Sequence, residues 1–273
     1  MKTTAPILAV LCVLGSVMLM AQGQTRPQFS DKKGRFALWF SEFSIEYPDK
    51  ETTVFDVSGK PAHGYSKDQN LEFSASNIKG KLVGPQGSDL RLRHGVVTGN
   101  AVLTVADEHG ESIFKSAQAT IDDDGSVATV TIPGSFSLVN TSSKGDETKK
   151  MTLKAAGGSF KLNSLDHKDE NPLISGSVSG PVVMDVDQTG PGDTKKMYTI
   201  NAERLEVHAD GTDKVFTVSG NVHLSNDQEG KDNFMSDLYV SQATIVVDKD
   251  YTVKSIKTKA PGSGTLKEKK DGS

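Results

Sequence analysis

The stretch TVSGNVHLSN, residues 217–226, alternates Val218, Val222 and Leu224 as a half-buried strand does, yet Gly220 stands among them where a side chain would add packing. The same arrangement recurs upstream in VVTGNAVL, TIPGSFSL and SVSGPVVM. Gly59, Gly99, Gly134, Gly180 and Gly220 are spaced 40, 35, 46 and 40 residues apart, which defines a repeat architecture with loops of unequal length. Two residues before each glycine stand Val57, Val97, Ile132, Val178 and Val218; two after, in the last four copies, stand Ala101, Phe136, Val182 and Val222. Four after come Leu103, Leu138, Met184 and Leu224, so one face of each strand is apolar and the other carries Thr, Ser, Asn and Pro. The first copy, DVSGKPAH, loses the pattern after its glycine.

Between the glycines lies a second motif, an apolar residue four before an alanine. It occurs in LEFSASNI, IFKSAQATI, MTLKAAGGSF, YTINAERL and YVSQATIV, aligning Ala75, Ala117, Ala155, Ala202 and Ala243. Lys115 and Ser241 then fall where Phe73, Leu153 and Ile200 stand in the other copies, which predicts bulges or shifted pairing. Turn signals such as DDDGS and HADGTDK follow, so each unit is an up-and-down pair and the whole a long antiparallel meander. The expected fold is all-β: a folded-over antiparallel sheet built from tandem degenerate repeats, with one apolar inner surface. The glycine on that surface removes bulk where the sheet bends sharply or two layers approach.

The chain has 273 residues, a formal charge of −4 and no basic stripe, which argues against nucleic acid as a partner. Lys2 precedes an apolar run from Ala5 to Ala21, and AQGQTRPQ suits cleavage after Gly23. Residues 1–23 therefore read as a secretory signal; the alternative is retention of residues 5–21 as a membrane anchor. Cys12 is the one cysteine and lies inside the apolar run, so a processed chain has neither disulfides nor thiolate metal sites. The repeat domain is expected over residues 30–262 and a disordered Lys-rich tail over 263–273. In RFALWFSEFSIEYPDK, alternation puts Phe36, Leu38 and Phe40 on one face and Ala37, Trp39 and Ser41 on the other. The segment reads as a first strand closing the core; the competing reading makes Trp39 a groove-mouth or membrane-interface residue.

Catalytic patterns are absent from the sequence. His63, His94, His109, His167, His208 and His223 are scattered without metal-ligand spacing, and no Gly-x-Ser-x-Gly elbow occurs. TGPGDTKK lacks phosphate-loop spacing, and Asp122, Asp123, Asp124 and Gly125 lack the ligand ladder of an EF-hand and read as a hairpin turn. No cofactor or metal is expected. A glycosidase would need two facing carboxylates beside a cleft, and the acidic residues here concentrate in turns.

The run YTINAERLEVHADGTDKVFTVSGNVHLSN, residues 198–226, resembles the periplasmic lipopolysaccharide-transport family that includes LptA, LptC and the OstA-like N-terminal domain of the outer-membrane assembly protein. The likeness rests on the Ala-x-x-Leu segment, the Asp/Gly turn and the Ser-Gly-Asn-Val strand start, and it extends in degraded form over about residues 70–240. It implies a β-taco, or β-jellyroll, whose groove shields the acyl chains of lipopolysaccharide or a related glycolipid, and which joins like-folded envelope proteins end to end by β-augmentation. It implies no enzymatic step. The inward positions that would line such a groove are Val97, Leu103, Ile132, Phe136, Leu138, Val178, Val182, Met184, Ile200, Val218, Val222 and Leu224. The alternative is a structural or adhesive envelope protein whose repeats pack a closed core.

Overall fold

The computed structural model describes residues 29–30, 33–67, 70–84, 90–106, 110–144, 146–164, 166, 173–189, 194–226, 235–248 and 253–266. The expected signal segment, His109, His167 and residues 267–273 lie outside them. The strands are β1 (Phe29–Ser30), β2 (Phe36–Trp39), β3 (Glu42–Glu46), β4 (Thr52–Ser66), β5 (Leu71–Val83), β6 (Arg91–Ala106), β7 (Gly110–Asp123) and β8 (Val127–Ile132). They continue with β9 (Phe136–Lys144), β10 (Glu147–Ala155), β11 (Gly157–Asn163), β12 (Leu173–Thr189), β13 (Thr194–Asp210), β14 (Asp213–Asn226), β15 (Met235–Val247) and β16 (Val253–Leu266). All belong to one antiparallel sheet, and no helix occurs among the described residues. β16 continues to Leu266, four residues past the boundary expected at 262.

The sheet is a meander folded lengthwise. Pairing along β4 stops at Ser58 and resumes at Ala62; along β6 it breaks between Thr98 and Ala101, along β12 between Ser179 and Val182, and along β14 between Ser219 and Val222. On the strands between, one residue is skipped at the same level: Ser76 on β5 and Glu203 on β13. Two or three residues thus face one, which is a β-bulge, and the bulges stack into a fold line across the sheet. Each long strand contributes one half to either layer. β8 and β9 are one such strand divided at 133–135, and β11 and β10 another divided at Ala156; with β7 and β12 they close a six-strand hydrogen-bonded ring.

The glycines make this fold line, although not in the way the alternation predicts. Gly99, Gly180 and Gly220 have left-handed φ values of +76°, +84° and +75°, and Asn100 and Asn221 follow at +57° and +47°. A Cβ on Gly99 would lie 2.6 Å from Ser76 Oγ, one on Gly180 would overlap the Ala156 methyl group, and one on Gly220 would lie 2.5 Å from Glu203 Oε2. Each glycine therefore nests over the single bend residue of the neighbouring strand and does not point into the core, which corrects the inward placement expected of Gly220. Gly134 is different: its φ is not left-handed and a Cβ there would meet nothing within 4 Å. The alanine motif also divides in two. Ala75, Ala155 and Ala202 are buried on one side of the fold line, Ala243 is buried on the other, and Ala117 is an exposed bend residue whose buried counterpart is Ala119.

Inside, cross-strand partners form continuous apolar rows. One runs through Phe73, Leu103, Phe114, Leu138, Leu153, Met184, Ile200, Leu224 and Leu238. The facing layer carries Val178, Leu205, Val218 and Ala243 in register. The layers meet through aromatic rings: Phe36 lies 5.9 Å from Phe55, and Phe160 lies 5.6 Å from Phe114 and 5.9 Å from Phe136. Each buried Phe or Leu contributes roughly 1.5–3 kcal/mol. Phe36 and Leu38 are fully buried, so the first aromatic segment closes the core.

Candidate functional site

All twelve inward positions named from the sequence are buried, and all fall in a single apolar cluster. Val97, Ile132, Val178 and Val218 occupy one layer, and Leu103, Phe136, Leu138, Val182, Met184, Ile200, Val222 and Leu224 the other. The interior also takes Phe55, Phe73, Phe160, Leu205 and Phe216, which the glycine-centred reading passes over. Phe73, Phe160 and Leu205 lie on strands that bend at a single non-glycine residue and so carry no marker, although their period-two alternation is legible.

In this structure the two layers are in contact. A void of about 10 Å³, room for about one water molecule, lies among Phe55, Leu71, Phe73, Ile78, Lys79, Leu92, Gly95, Val97, Leu103, Ala119 and Ile121. Apart from Thr53, Ser66, Asp123 and Ser164, the described residues that are fully buried are apolar. An interior of this chemistry takes hydrocarbon and offers almost nothing to a polar ligand.

Two of the polar exceptions, Asp123 and Ser164, meet at a mouth formed by strand ends remote from the fold line. Asp123 ends β7 with its carboxylate buried, receiving the Ser164 hydroxyl at 2.9 and 3.0 Å and the Gly125 amide at 2.7 Å. Arg93 Nη1 stands 3.5 Å from Asp123, and Asp166 holds Arg93 Nη2 at 2.5 Å and Arg91 Nη1 at 3.4 Å. The DDDGS stretch is the hairpin turn expected of it, joining β7 to β8. Within it Asp124 accepts from Ser126 and Val127, and those hydrogen bonds hold its carboxyl down at about 2. The burial of Asp123 was not legible, because its two acidic neighbours in sequence point to solvent.

The outer face carries His63, His94 and His223. His63 stacks on Trp39 at 4.6 Å, and burial there pushes its pKa below the ordinary imidazole value. His94 meets Asp122 at 2.6 Å, and His223 stacks on Tyr239 at 4.3 Å with Asp237 at 2.9 Å. Among the described residues no three His, Cys, Asp or Glu side chains converge as a metal site. Trp39 faces outward as alternation predicts, covering His63 and approaching Tyr65 at 5.7 Å. The chain matches no protein-family model, no curated protein and no solved structure.

Proposed function

We propose that this chain is a non-catalytic periplasmic lipid-binding protein that shields the acyl chains of lipopolysaccharide or a related glycolipid on the way to the outer membrane. The observation that carries this reading is the unbroken apolar row from Phe73 to Leu238, enclosed between two layers of one sheet. An acyl chain of about a dozen methylenes costs on the order of 10 kcal/mol to expose to water, at roughly 0.8 kcal/mol each. A continuous apolar strip removes that cost, and the resemblance of residues 198–226 to the transport family points the same way.

Like-folded partners would join at the ends of the sheet. β3 and β16 each have one edge without a strand partner among the described residues. β3 carries exposed Glu42 and Glu46, while β16 carries exposed Lys254, Lys257 and Lys259, a complementary pair of edges for end-to-end augmentation. Export by residues 1–23, or anchoring by 5–21, belongs to the same reading.

A second reading has its own observation. The layers touch and the void is small, which favours a structural envelope protein with a permanently closed core. Photo-crosslinking from a probe at Val222, with outward His223 as control, separates the two. Capture of lipopolysaccharide from Val222 alone supports the carrier; no capture from either position in a folded protein supports the closed core.

A further inference from the structure

The layer that contains β3 ends on an uncovered apolar strand. Phe43 and Ile45 are cross-strand partners of buried Val57 and Phe55, so both face the interior. Phe43 is nevertheless 64 % exposed, and Tyr47, two residues past Ile45, is 56 % exposed. β3 pairs only with β4 among the described residues, so its other edge has no strand beside it.

The course of β1 leads to that edge. Phe29 pairs with Leu38 and Ser30 with Ala37, antiparallel to β2, so the chain upstream of Phe29 heads past Trp39 toward the fold line and the start of β3. Proline marks such crossings in this sheet. Pro61, Pro181 and Pro261 are the prolines inside described strands, and each stands in the pairing break at the fold line; Pro133 stands in the division between β8 and β9. A residue without an amide hydrogen is tolerated where the ladder is already interrupted. Breaks bearing proline or a left-handed glycine fall on every second strand, and outward from β4 the next of that kind is β1, one beyond β2 and β3. Pro27 lies two residues before Phe29, at the level of Phe40.

We propose that, in the chain that keeps residues 1–23, residues 19–28 carry β1 across the fold line and cover the free edge of β3. Across β6, β12, β14 and β16 the break holds two residues against one on a neighbouring strand. The same excess at Pro27 sets Gly23 opposite Phe43, Ala21 opposite Ile45 and Leu19 opposite Tyr47. The end of the apolar run then meets the apolar face of β3, and Gln22 and Gln24 fall on the outer face. The occupant of the edge is a segment of the same chain, and the proposal does not rest on the lipid-binding reading. Cleavage after Gly23 would leave residues 24–28, which in this register end opposite Glu42. Retention or loss of residues 1–23 therefore decides whether β3 is open to another strand.

Disulfide trapping in the full chain, solubilised in dodecyl maltoside and carrying Cys12→Ser, tests the pairing. Directly opposed residues of antiparallel strands stand about 4.5–5.5 Å apart at Cα, within the span a disulfide bridges. Ala21→Cys with Ile45→Cys should oxidise to a bond within one chain, read as a monomer in which the peptides holding positions 21 and 45 are linked. Ala21→Cys with Ile256→Cys, on the inner face of the opposite edge strand β16, should remain reduced. Hydrogen exchange gives a second readout that does not depend on disulfide geometry. Ala21→Asp sets a charge against Ile45 and should speed exchange of the Glu42–Glu46 amides about tenfold, with the β5 amides unchanged as the sign of an intact fold. Equal β3 exchange in Ala21→Asp and the parent overturns the proposal, and so does equal oxidation of the two cysteine pairs. Disulfide-linked dimers through position 45 overturn it as well, because they assign the edge to a second copy of the chain.

Discussion

Gly180→Ala tests the fold line most directly. Two costs coincide there. The backbone is left-handed at φ +84°, which costs a residue with a Cβ roughly 1–2 kcal/mol. The added methyl also overlaps that of Ala156, which cannot swing away as a long side chain can, and overpacking of this kind costs about 1–3 kcal/mol. Together they amount to about 2–5 kcal/mol. In a chain of this size each kcal/mol shifts the melting temperature by about 2–4 °C, so calorimetry should show a fall of about 4–20 °C. Gly134→Ala is the internal comparison, since its φ is not left-handed and its surroundings are open. It should be neutral, or stabilising by about 0.4–1 kcal/mol through the unfolded chain. Ala156→Gly separates the two costs: combined with Gly180→Ala it removes the overlap and leaves the φ term, giving a coupling of about 1–3 kcal/mol in a double-mutant cycle. Equal melting temperatures for Gly180→Ala and Gly134→Ala, or strict additivity in the cycle, would refute the account of the bend.

Three further outcomes are expected. Phe160→Ala removes the ring that touches Phe114 and Phe136 and should cost about 3–5 kcal/mol in urea unfolding, whereas Phe43→Ala, 64 % exposed, should change stability by less than about 1 kcal/mol. Asp124 titrates at about 2 because Ser126 and Val127 hydrogen-bond its charged form. A depressed carboxyl pKa stabilises the fold above the unfolded value and loses that contribution as pH falls, so melting temperature should drop from pH 4 to pH 2 less steeply in Asp124→Ala. His63 has its pKa lowered by burial against Trp39, so the unfolded chain takes up the proton first and this contribution fades as pH falls below about 6.5. Trp39 is the one tryptophan, and its fluorescence should report that titration with a midpoint below 6.5, an effect absent in His63→Gln.

The fold class was legible because two signals coincide in the glycine-bearing strands: period-two alternation sets the inward face, and the glycine marks the bend. Val97, Val178, Val218 and Val222 could be placed for that reason. The intervening strands bend at Ser76, Ala117, Ala156 and Glu203, residue types with no shared conformational demand. Their register was therefore ambiguous, and Ala117 was aligned with residues that occupy a different place. A one-residue error on such a strand exchanges its faces, which is how Lys115 came to stand where Phe114 belongs. The mouth was illegible for another reason. Asp123, Arg93, Ser164 and Asp166 come from segments up to 73 residues apart, and no local pattern records that they meet.

A closed interior and a lipid carrier are compatible only if opening is local. Separating the layers completely would expose the whole apolar row at once, at roughly 25 cal/mol per Å², a cost no single acyl chain returns. Parting them at the small void bordered by Phe73, Val97, Leu103 and Ile121 would expose least, because some interlayer contact is already missing there. In the proposed carrier, a chain in that gap would exchange each interlayer contact for an equivalent one with each further methylene, so advance along the row would be close to energetically neutral. The register supports such an advance, since Leu103, Phe114, Leu138, Leu153 and Met184 follow one another across neighbouring strands without a polar break. Crosslinks made at short exposure should therefore come from Val97 before Val222, and should reach Val222 with time. Simultaneous labelling of both would mean that the layers open as a unit, and the argument from local opening would fail.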